Sequence, residues 1–575
     1  MTSESSKAKI LIVGSGPVGS ILALSLLENN IPVRIIEKDV EHHCGTRGPG
    51  VSPRTLEVEH FLGVRKDVEK YAISDSHDVQ YDPKDPYRVA RSSLKVQSIP
   101  PTPAYPTGTV LTVPQYLHER AIREHIHKMG GKIDLGVALE SLQEEAEGVT
   151  VELSETKDGK RTVVKERYDW VVGTDGGHSI VRKSAGIVFL GETREDERMY
   201  IVDCKVEGLE EKNIHTWNTE NRELAMFRYT GQPKSFQVMF VGSEEHMDLM
   251  RTKDRANIQK AINDAIKRTD IVITEITWQG EWRPNIRLAD RFQSGRVFIA
   301  GDAAHTHPPT GGQGMNSGVM DAFNLGWKLA LAAKGHASSK LLESYELERL
   351  PVISEMLKIS TGLHDSVRDS IKASKVSAAP SGEQQQGGTK RDADPFLRGR
   401  KLFQLDVNYR WSPIVFDERF GEAEAVKQPN AYGTEGHEAR AGDRAPDAPN
   451  LRVIKRPANE GKADLGEETR LFDVFTPDRH TVLVFHGDAT PILDALAKYP
   501  PELVRSVLVL PSNSSESESV SVDFVLKDME GHAHNGYGVK EDLFQVVIVR
   551  PDGVIGAFVA GVDGVSKYFS LILSE

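Results

Sequence analysis

The sequence predicts an α/β fold of several domains, and three observations lead to this prediction. The chain opens with a short apolar run, a glycine-rich turn, a stretch of helical spacing and a second apolar run, which is a β-α-β arrangement. Residues 191–287 alternate apolar and polar positions as an antiparallel sheet does. A chain of 575 residues is also too long for a single hydrophobic core.

The remaining elements follow from the spacing of apolar residues and of glycine and proline. Strands are predicted at residues 9–13, 32–37, 169–172, 199–206, 224–229, 236–241, 271–278, 471–475, 480–486, 504–510 and 544–549. Helices are predicted at residues 17–30, 50–72, 115–129, 317–334 and 340–367. Residues 372–394 are rich in Ser, Gly, Gln and charge, which predicts a linker or a disordered insertion. Residues 550–553 predict a hairpin turn.

Composition and charge limit the class of protein. Hydrophobic residues make up 39% and charged residues 27% of the chain, as in an ordinary globular protein. The net charge of −13 comes without a dense block of Lys and Arg, so no nucleic-acid partner is expected. No stretch approaches about 18 consecutive apolar residues, and no membrane span is expected. The N-terminus lacks the pattern of a signal peptide, so a cytoplasmic location is predicted.

The chain has two cysteines, Cys44 and Cys204. This number excludes a disulfide framework, a CxxC redox pair and a cysteine-based zinc site. No metal site is predicted, and the low cysteine content fits a reducing compartment.

The first chemical motif is GSGPVG at residues 14–19, between a strand and a helix. Gly14 permits the tight turn, Gly16 lets the backbone approach a pyrophosphate, and Gly19 lets the helix pack on the strand. The helix N-terminus then faces the phosphates. Glu37 ends the second strand, where a carboxylate can accept hydrogen bonds from a ribose. An ordinary glycine turn is the alternative, and the strand, helix and acid around the motif favour a dinucleotide site.

Two later segments favour a flavin over a nicotinamide dinucleotide. VVGTDG at residues 171–176 is a strand ending in an acidic turn, and RVFIAGDAAH at residues 296–305 is another. A carboxylate at the second turn, Asp302, suits a ribityl hydroxyl. PPTGGQGMN at residues 308–316 is rich in glycine and opens a helix, whose N–H groups suit the pyrimidine edge of a flavin.

With these motifs, the chain resembles the group A flavoprotein aromatic hydroxylases, in the branch that includes phenol hydroxylase. In that family the three motifs are the dinucleotide fingerprint, the Asp-Gly motif that FAD and NAD(P)H contacts share, and the Gly-Asp ribityl motif. DAFNLGWKLA at residues 321–330 and YELER at residues 345–349 also match the family pattern. The resemblance covers most of the chain.

The resemblance implies an oxidoreductase, an FAD-dependent monooxygenase that hydroxylates a phenolic or other electron-rich aromatic substrate. NADPH or NADH would reduce the flavin, and O₂ would form the flavin C4a-hydroperoxide that transfers oxygen. The protein would bind, orient and exclude water, while the flavin carries the chemistry. The chain has no second dinucleotide fingerprint, which fits transient binding of the nicotinamide donor in this family.

The resemblance also assigns site residues. Arg47 resembles the family arginine near the flavin, and Gln115 resembles the glutamine that opens the helix beside FAD. The residues expected to bind the cofactor are Gly14, Gly16, Pro17, Val18, Gly19, Glu37, Lys38, Arg47, Gln115, Asp175, Gly176, Arg182, Gly301, Asp302, Pro309, Gly312, Gly314, Met315 and Asn316.

The substrate-deprotonating residue is not assigned by resemblance. Phenol hydroxylase has an aspartate for this role, and Pro49 stands in its place here. The general base is therefore absent or elsewhere. The residues considered for catalysis are Arg47, Pro309, His215, Tyr229 and Arg287. For the last three, a core or surface role is the alternative.

The predicted domain order is a Rossmann-type FAD-binding domain at residues 1–190 and 288–370, a substrate-binding sheet domain at 191–287, a connecting segment at 371–440, and a thioredoxin-like domain at 441–575. GDRAPD at residues 442–447 and VRPDG at residues 549–553 carry the last resemblance. This domain has no cysteine, so thiol–disulfide exchange is excluded and a structural role in a homodimer is expected.

Three other functions are weighed against the hydroxylase. A flavin halogenase has a Trp-x-Trp-x-Ile-Pro signature, whereas Trp278 and Trp282 are spaced differently. A non-oxygenating flavin dehydrogenase or reductase stays open, because FAD motifs alone do not demand oxygen transfer. A flavin-binding scaffold without activity is disfavoured by the intact loop at residues 308–316.

Overall fold

The structure is a computed structural model. It describes residues 9–74, 76–94, 99–157, 160–219, 223–308, 310–373, 400–420, 429–433, 438–458, 464–485, 489–514, 522–540 and 545–574. The segment predicted at residues 372–394 lies outside these residues, except for its first two residues, which end a helix at Ala373.

The described residues form helices, some of which have proline or glycine at the end where it is favoured. They are α1 (Pro17–Glu28), α2 (Pro53–Phe61), α3 (Arg65–Glu69), α4 (Gln115–Lys128), α5 (Ile180–Ser184), α6 (Glu244–Arg251), α7 (Arg255–Ile266), α8 (Gly314–Lys334), α9 (Ser339–Ala373), α10 (Leu471–Val474), α11 (Thr490–Leu496), α12 (His532–Gly536) and α13 (Val562–Ile572). Pro17 and Pro53 open α1 and α2, where a missing N–H costs no hydrogen bond. Gly335 ends α8 in the left-handed conformation, with φ of 79°.

The strands form several sheets. In the first third of the chain they are β1 (Ile10–Val13), β2 (Val33–Glu37), β3 (Gly50–Val51), β4 (His77–Tyr81), β5 (Val89–Leu94), β6 (Leu111–Thr112), β7 (Ile133–Leu135), β8 (Val137–Glu145), β9 (Gly148–Lys157), β10 (Lys160–Tyr168) and β11 (Trp170–Gly173). The middle strands are β12 (Phe189–Thr193), β13 (Met199–Glu207), β14 (Ile214–Asn218), β15 (Leu224–Tyr229), β16 (Ser235–Val241), β17 (Val272–Trp282), β18 (Asn285–Ala289), β19 (Gln293–Ser294), β20 (Val297–Ile299) and β21 (His305–Thr306). The last strands are β22 (Phe416–Asp417), β23 (Leu451–Lys455), β24 (Glu468–Thr469), β25 (His480–Phe485), β26 (Val504–Pro511), β27 (Phe524–Asp528), β28 (Gln545–Val549) and β29 (Ile555–Val559).

The first sheet has the order β19-β20-β11-β1-β2-β7. The strands from β20 to β7 are parallel, and only β19 runs antiparallel to its neighbour. Parallel strands end at the same edge, so the turns that follow β1, β11 and β20 lie side by side. These are the three turns that carry the glycine motifs, which confirms the predicted α/β class.

Helices α1 and α8 pack closely behind this edge. A Cβ on Gly318 of α8 would lie 2.5 Å from Val18 Cγ2, and a Cβ on Gly326 would lie 2.3 Å from Ser25 Oγ. The glycines therefore allow the two helices to approach each other. This contact fixes the N-terminus of α8 near the turn after β20.

The second large sheet has the order β17-β13-β16-β15-β14-β4-β5. One face packs against α6 and α7 through an aromatic core that includes Phe227, Phe236 and Phe240. The opposite face meets the loop of residues 43–49 through Asp203 and Gln237. Strands β4 and β5 lie in the range predicted for the FAD-binding domain, yet they extend this sheet because β4 pairs with β14.

Smaller sheets join these parts. One small sheet has the strand order β10-β9-β8, and another has the order β12-β18-β21. Strand β3 pairs with β6.

The C-terminal sheet has the order β22-β29-β28-β25-β26-β27-β23-β24. Strands β25, β26 and β27 are parallel, while β28 and β29 run antiparallel. The predicted turn at residues 550–553 joins β28 to β29. Strand β22 pairs with β29 and comes from residues 371–440, so this range supplies more than a connection.

One predicted strand is wrong. Residues 471–474 form helix α10 instead, because a short apolar run does not distinguish a strand from a buried helical turn. Asp447 Oδ1 accepts the Phe472 N–H at 3.0 Å and so satisfies the start of that turn. His532 and His534 lie on the short helix α12, where they pair with Glu530 and Asp528.

Buried charges join the C-terminal sheet to the rest of the chain. Arg550 donates to both oxygens of Glu348 on α9, at 2.7 and 3.0 Å, and Lys328 of α8 donates to the same carboxylate at 2.8 Å. Arg444 pairs with Glu57 of α2. All five side chains are nearly inaccessible to water.

Within the described residues, none of the helices combines the length and apolar character needed to cross a bilayer. The same residues contain no group of three or more His, Cys, Asp or Glu side chains placed to hold a metal ion.

Candidate active site

The turn after β1 requires glycine at two positions for packing reasons. A Cβ on Gly14, whose φ is 102°, would lie 2.6 Å from the Thr174 carbonyl oxygen. A Cβ on Gly19 would lie 2.1 Å from the Gly14 carbonyl oxygen. Gly16 is different, since a Cβ there would have no atom within 4 Å. Its backbone therefore borders open space, as a phosphate-binding glycine should.

Glu37 braces this turn from the end of β2. Its Oε2 accepts the Ser15 N–H at 3.0 Å and the Ser15 hydroxyl at 3.1 Å. Lys38 follows on the surface. On the other side, Val18 fills the space next to Gly301 and Gly318. Protein contacts therefore support the turn on both sides.

In the turn after β11, the carboxylate of Asp175 is hydrogen-bonded by neighbouring residues of the chain. Asp175 accepts hydrogen bonds from the Ser179 hydroxyl at 2.5 Å and from the Ile180 N–H at 2.7 Å. Burial raises the pKa of Asp175, while these donors lower it. Gly176 follows with φ of 78°. Arg182 donates to the Gly177 and Ala303 carbonyl oxygens, both at 2.9 Å, and so ties this turn to the one after β20.

We expect Ser179→Ala to lower the free energy of unfolding by about 1 kcal/mol. Ser179 is the N-cap of α5 and accepts the Arg182 N–H at 2.9 Å, and loss of an N-cap typically costs about this amount. Denaturant unfolding of the apoprotein measures it. A conservative Ser179→Thr variant should recover most of the loss; equal destabilisation by both variants would contradict the capping role.

The turn after β20 presents a free carboxylate. Gly301 has φ of 60° and donates its N–H to Asp321 at 3.0 Å. Asp302 comes next and is exposed. Its carboxylate makes no hydrogen bond to the part of the chain that the structure describes. A hydroxyl of a ligand at this edge can therefore bind Asp302 without displacing a protein donor.

The glycine-rich loop before α8 is held from below by Asn316. Its Oδ1 accepts from the Ser52 N–H at 2.8 Å, and its Nδ2 donates to the carbonyl oxygens of Gly50 and Gly312 at 2.9 and 2.7 Å. Gly312 has φ of 62°, which favours glycine. Gly314 starts α8 and Met315 is half-buried behind it. The predicted contact Pro309 lies outside the described residues.

Arg47 and Gln115 lie on neighbouring segments. Arg47 has an exposed side chain and φ of 43°. Gln115 opens α4, donates its side-chain amide to Glu119 at 2.9 Å and donates its N–H to the Thr46 carbonyl oxygen at 3.1 Å.

These features fit an extended dinucleotide. Three turns and the N-termini of α1 and α8 lie along one edge of the parallel sheet, and helix N-termini favour anionic groups. The open backbone at Gly16 suits a pyrophosphate, and the free Asp302 carboxylate suits a sugar or ribityl hydroxyl.

Comparison with known proteins decides the family. The model of the FAD-binding domain family matches residues 7–360, which is more than half of the chain. The chain belongs to this FAD-binding family.

Curated relatives of this FAD-binding protein are monooxygenases. A flavin-dependent monooxygenase of Mycobacteroides abscessus is 33% identical over 84% of this chain and 90% of its own length. Pentachlorophenol 4-monooxygenase of Sphingobium chlorophenolicum is 27% identical over 97% of this chain and 95% of its own length. The chain is therefore an oxidoreductase, and these relatives support a flavin-dependent monooxygenase over a non-oxygenating dehydrogenase or reductase.

Solved structures share the fold. The flavin-dependent monooxygenase PieE, in complex with FAD and substrate, superposes with a TM-score of 0.75 and 21% identity over 99% of each chain. Aklavinone-11 hydroxylase, in complex with FAD and aklavinone, gives a TM-score of 0.74 and 22% identity, again over 99% of each chain.

In this monooxygenase, two predicted catalytic residues lie away from the Arg47 loop. His215 is buried on the face that packs toward α6 and α7, and it is hydrogen-bonded to the Tyr81 hydroxyl at 3.0 Å and the Glu210 carbonyl oxygen at 2.8 Å. Tyr229 packs against Phe236 on the same face. Side chains alternate across a strand, so the sequence pattern alone did not show which face each residue joins.

Arg287 lies elsewhere again. It is on β18 and donates to Asn285 Oδ1 at 2.8 Å and to the Phe189 carbonyl oxygen. This places it in the small sheet near Arg182, whose pKa its charge helps to lower after burial. The structure thus places His215 and Tyr229 on the sheet face opposite the Arg47 loop, and Arg287 on β18 opposite Thr306.

The structure adds Asp203, which sequence reasoning missed. Asp203 is 3% exposed and lies on the face of β13 that meets the Arg47 loop. Burial raises the pKa of Asp203 to about 6. The sequence does carry a signal for Asp203, which is an acidic residue within the apolar run of β13. Burying a charge is costly, so an acid at such a position indicates a specific role.

Proposed function

We propose that this flavin-dependent monooxygenase hydroxylates a phenol or another electron-rich aromatic ring, with NADPH or NADH as the electron donor and O₂ as the oxygen source. The match to pentachlorophenol 4-monooxygenase over nearly the whole length of both chains carries the proposal. A hydroxylase of 3-(3-hydroxyphenyl)propionate and 3-hydroxycinnamic acid from Escherichia coli, 29% identical over 71% of this chain and 69% of its own length, also supports it.

The geometry of the three turns supports an assignment of each part of FAD. We assign the pyrophosphate to Gly16 and the N-terminus of α1, a ribose to Glu37, the ribityl chain to Asp302, and the pyrimidine edge to Gly312 and the N-terminus of α8. When bound, FAD accepts reducing equivalents from the nicotinamide and activates O₂. The residues of the chain bind and orient it, and they limit access of water.

The aromatic ring has a suitable surface on the seven-stranded sheet. Ile201, Met239 and Met226 are neighbours on three adjacent strands and share the face that meets the Arg47 loop. All three are only partly buried. Methionine and isoleucine pack favourably against rings, so this apolar row supports an aromatic substrate.

A substrate screen tests the proposal. We expect at least one phenol to stimulate NAD(P)H oxidation by the FAD-loaded enzyme by about tenfold or more, because a correctly placed substrate commits the reduced flavin to turnover. Isotopically labelled O₂ should add one labelled oxygen atom to the product, detected by mass spectrometry. Stimulated oxidation that yields only hydrogen peroxide with every phenol would contradict hydroxylation.

We also propose a homodimer in the cytoplasm, with a structural thioredoxin-like C-terminal domain. The absence of cysteine from residues 441–575 supports a structural role for this domain.

A further inference from the structure

The loop of residues 43–49 bridges the two parts of the active site. It has no regular secondary structure and carries Arg47. On the side of the parallel sheet, its Thr46 carbonyl oxygen accepts the Gln115 N–H at 3.1 Å, and its Pro49 carbonyl oxygen accepts the Val113 N–H at 2.7 Å. These bonds anchor the loop to the start of α4.

On its other side, the loop is bonded to the seven-stranded sheet. The Thr46 N–H donates to Asp203 Oδ2 at 2.6 Å. The carbonyl oxygen of the following residue, Arg47, accepts a hydrogen bond from Gln237 Nε2 at 2.9 Å. The peptide group before Thr46 and the peptide group after Arg47 are therefore held by two side chains of the seven-stranded sheet.

These two side chains belong to one row across the sheet. Asp203 of β13 is paired with Gln237 of β16, and Gln237 is paired with Arg228 of β15. Arg228 donates to Gln237 Oε1 at 3.2 Å. Because this bond uses the amide oxygen, it orients the amide NH₂ toward the Arg47 carbonyl oxygen.

Trp278 extends the same row on β17, where it is paired with Asp203. A Cβ on Gly45 would lie 3.1 Å from Trp278 Cδ2, and the His43 ring contacts the indole at 5.9 Å between centroids. We call the row of Asp203, Gln237 and Arg228 the polar row, and this row holds the loop. The adjacent apolar row of Ile201, Met239 and Met226 makes none of these bonds to the loop and suits a substrate.

This attachment is costly to the fold. The second oxygen of Asp203 is buried and has no hydrogen-bond partner among the residues that the structure describes. Arg47 has φ of 43°, in the left-handed region that non-glycine residues rarely adopt. A buried, incompletely paired acid and a strained backbone in one contact indicate a functional requirement.

We propose that Asp203 and Gln237 are positioning residues that couple the substrate sheet to Arg47. A ligand that shifts the apolar row also shifts the adjacent polar row, and the two hydrogen bonds pass this displacement to the loop. Arg47 then takes its working position only when the sheet is in its substrate-bound arrangement. The inference rests on the proposed function in one respect, that Arg47 lies beside the flavin.

Hydrogen exchange of the FAD-loaded enzyme tests the attachment without a substrate. We expect the peptide that contains the Thr46 amide to exchange about tenfold faster in Asp203→Asn and in Gln237→Met. The first replaces a charge-assisted acceptor by a weaker neutral one and the second removes a donor to the loop, and each change is worth about 1.4 kcal/mol. Gln279→Met is the control, because Gln279 is paired with Val202 and makes the same kind of side-chain bond away from the loop. It should exchange at the parent rate. Gln237→Glu replaces Gln237→Met if the latter does not fold.

Coupling of NAD(P)H oxidation to product tests the consequence. With the phenol that stimulates oxidation most, product formed per NAD(P)H should fall about tenfold in both variants, with hydrogen peroxide making up the difference, while FAD affinity stays within about twofold. Unchanged exchange at Thr46 would overturn the attachment, and faster exchange with unchanged coupling would overturn the positioning role. If the parent enzyme hydroxylates no phenol, the proposed function fails, whereas the exchange result still decides whether the loop is held by Asp203 and Gln237.

Discussion

Glu348→Ala is expected to lower the free energy of unfolding by about 3–5 kcal/mol, because it leaves buried cations without their carboxylate. Glu348 is fully buried between the parallel-sheet domain and the C-terminal domain. Arg550 and Lys328 both donate to it, and Asn324 and Ser412 complete its hydrogen bonds at 2.7 and 2.6 Å. Alanine removes the acceptor of all four donors at once.

The charge state of Glu348 supports this size of effect. Burial alone would raise the pKa of Glu348, but Arg550 and Lys328 lower it to well below its usual range. The carboxylate is therefore ionised at neutral pH. Removing it leaves the Lys328 ammonium without a hydrogen-bonded carboxylate and Arg550 with Asp552 as its remaining acidic partner, in a medium of low dielectric.

The measurement is denaturant unfolding, followed by intrinsic fluorescence. Glu343→Ala is the matched control, since Glu343 is exposed on the same helix α9, and we expect it to change stability by less than about 0.5 kcal/mol. We also expect Glu348→Ala to release the C-terminal domain to limited proteolysis first, because Arg550 belongs to that domain. Equal stability of the two variants would show that the buried pair contributes nothing to the junction.

The sequence predicted the glycine-rich turns at the edge of the parallel sheet, because the determinants of these turns are local. Gly14 and Gly19 are required by contacts with atoms a few residues away or in the adjacent strand, and such glycines leave a recognisable spacing. The strands before each motif are short buried runs, as parallel strands are. Their common edge then follows from parallel pairing alone.

The features that the sequence did not predict depend on pairing between strands that are distant in the chain. Nothing local in residues 77–94 indicates that β4 pairs with β14, more than a hundred residues later. The sequence also did not predict which face of each strand is turned toward the active site. A period of two identifies two faces without saying which one meets the Arg47 loop. His215 and Asp203 show the consequence, since the first lies on the core face and the second on the face toward Arg47.

Asp302→Ala is expected to weaken FAD binding by about 10-fold to 150-fold while leaving the stability of the apoprotein nearly unchanged. A charge-assisted hydrogen bond to a hydroxyl is worth about 1.5–3 kcal/mol, which corresponds to that range. The apoprotein should lose little, because Asp302 is exposed and makes no hydrogen bond to the described residues. This combination separates Asp302 from Asp175 and Asp321, whose carboxylates already serve the fold.

Titration of apoprotein with FAD, followed by quenching of flavin fluorescence, measures the change. Asp302→Asn keeps a hydrogen-bonding group without the charge, so its affinity should fall between those of the parent and Asp302→Ala, because neutral hydrogen bonds are about half as strong. Asp264→Ala removes an exposed acid from α7, and we expect it to bind FAD as the parent does. If Asp302→Ala binds FAD as tightly as Asp264→Ala, the ribityl chain lies elsewhere, and the free carboxylate at the end of β20 has another partner.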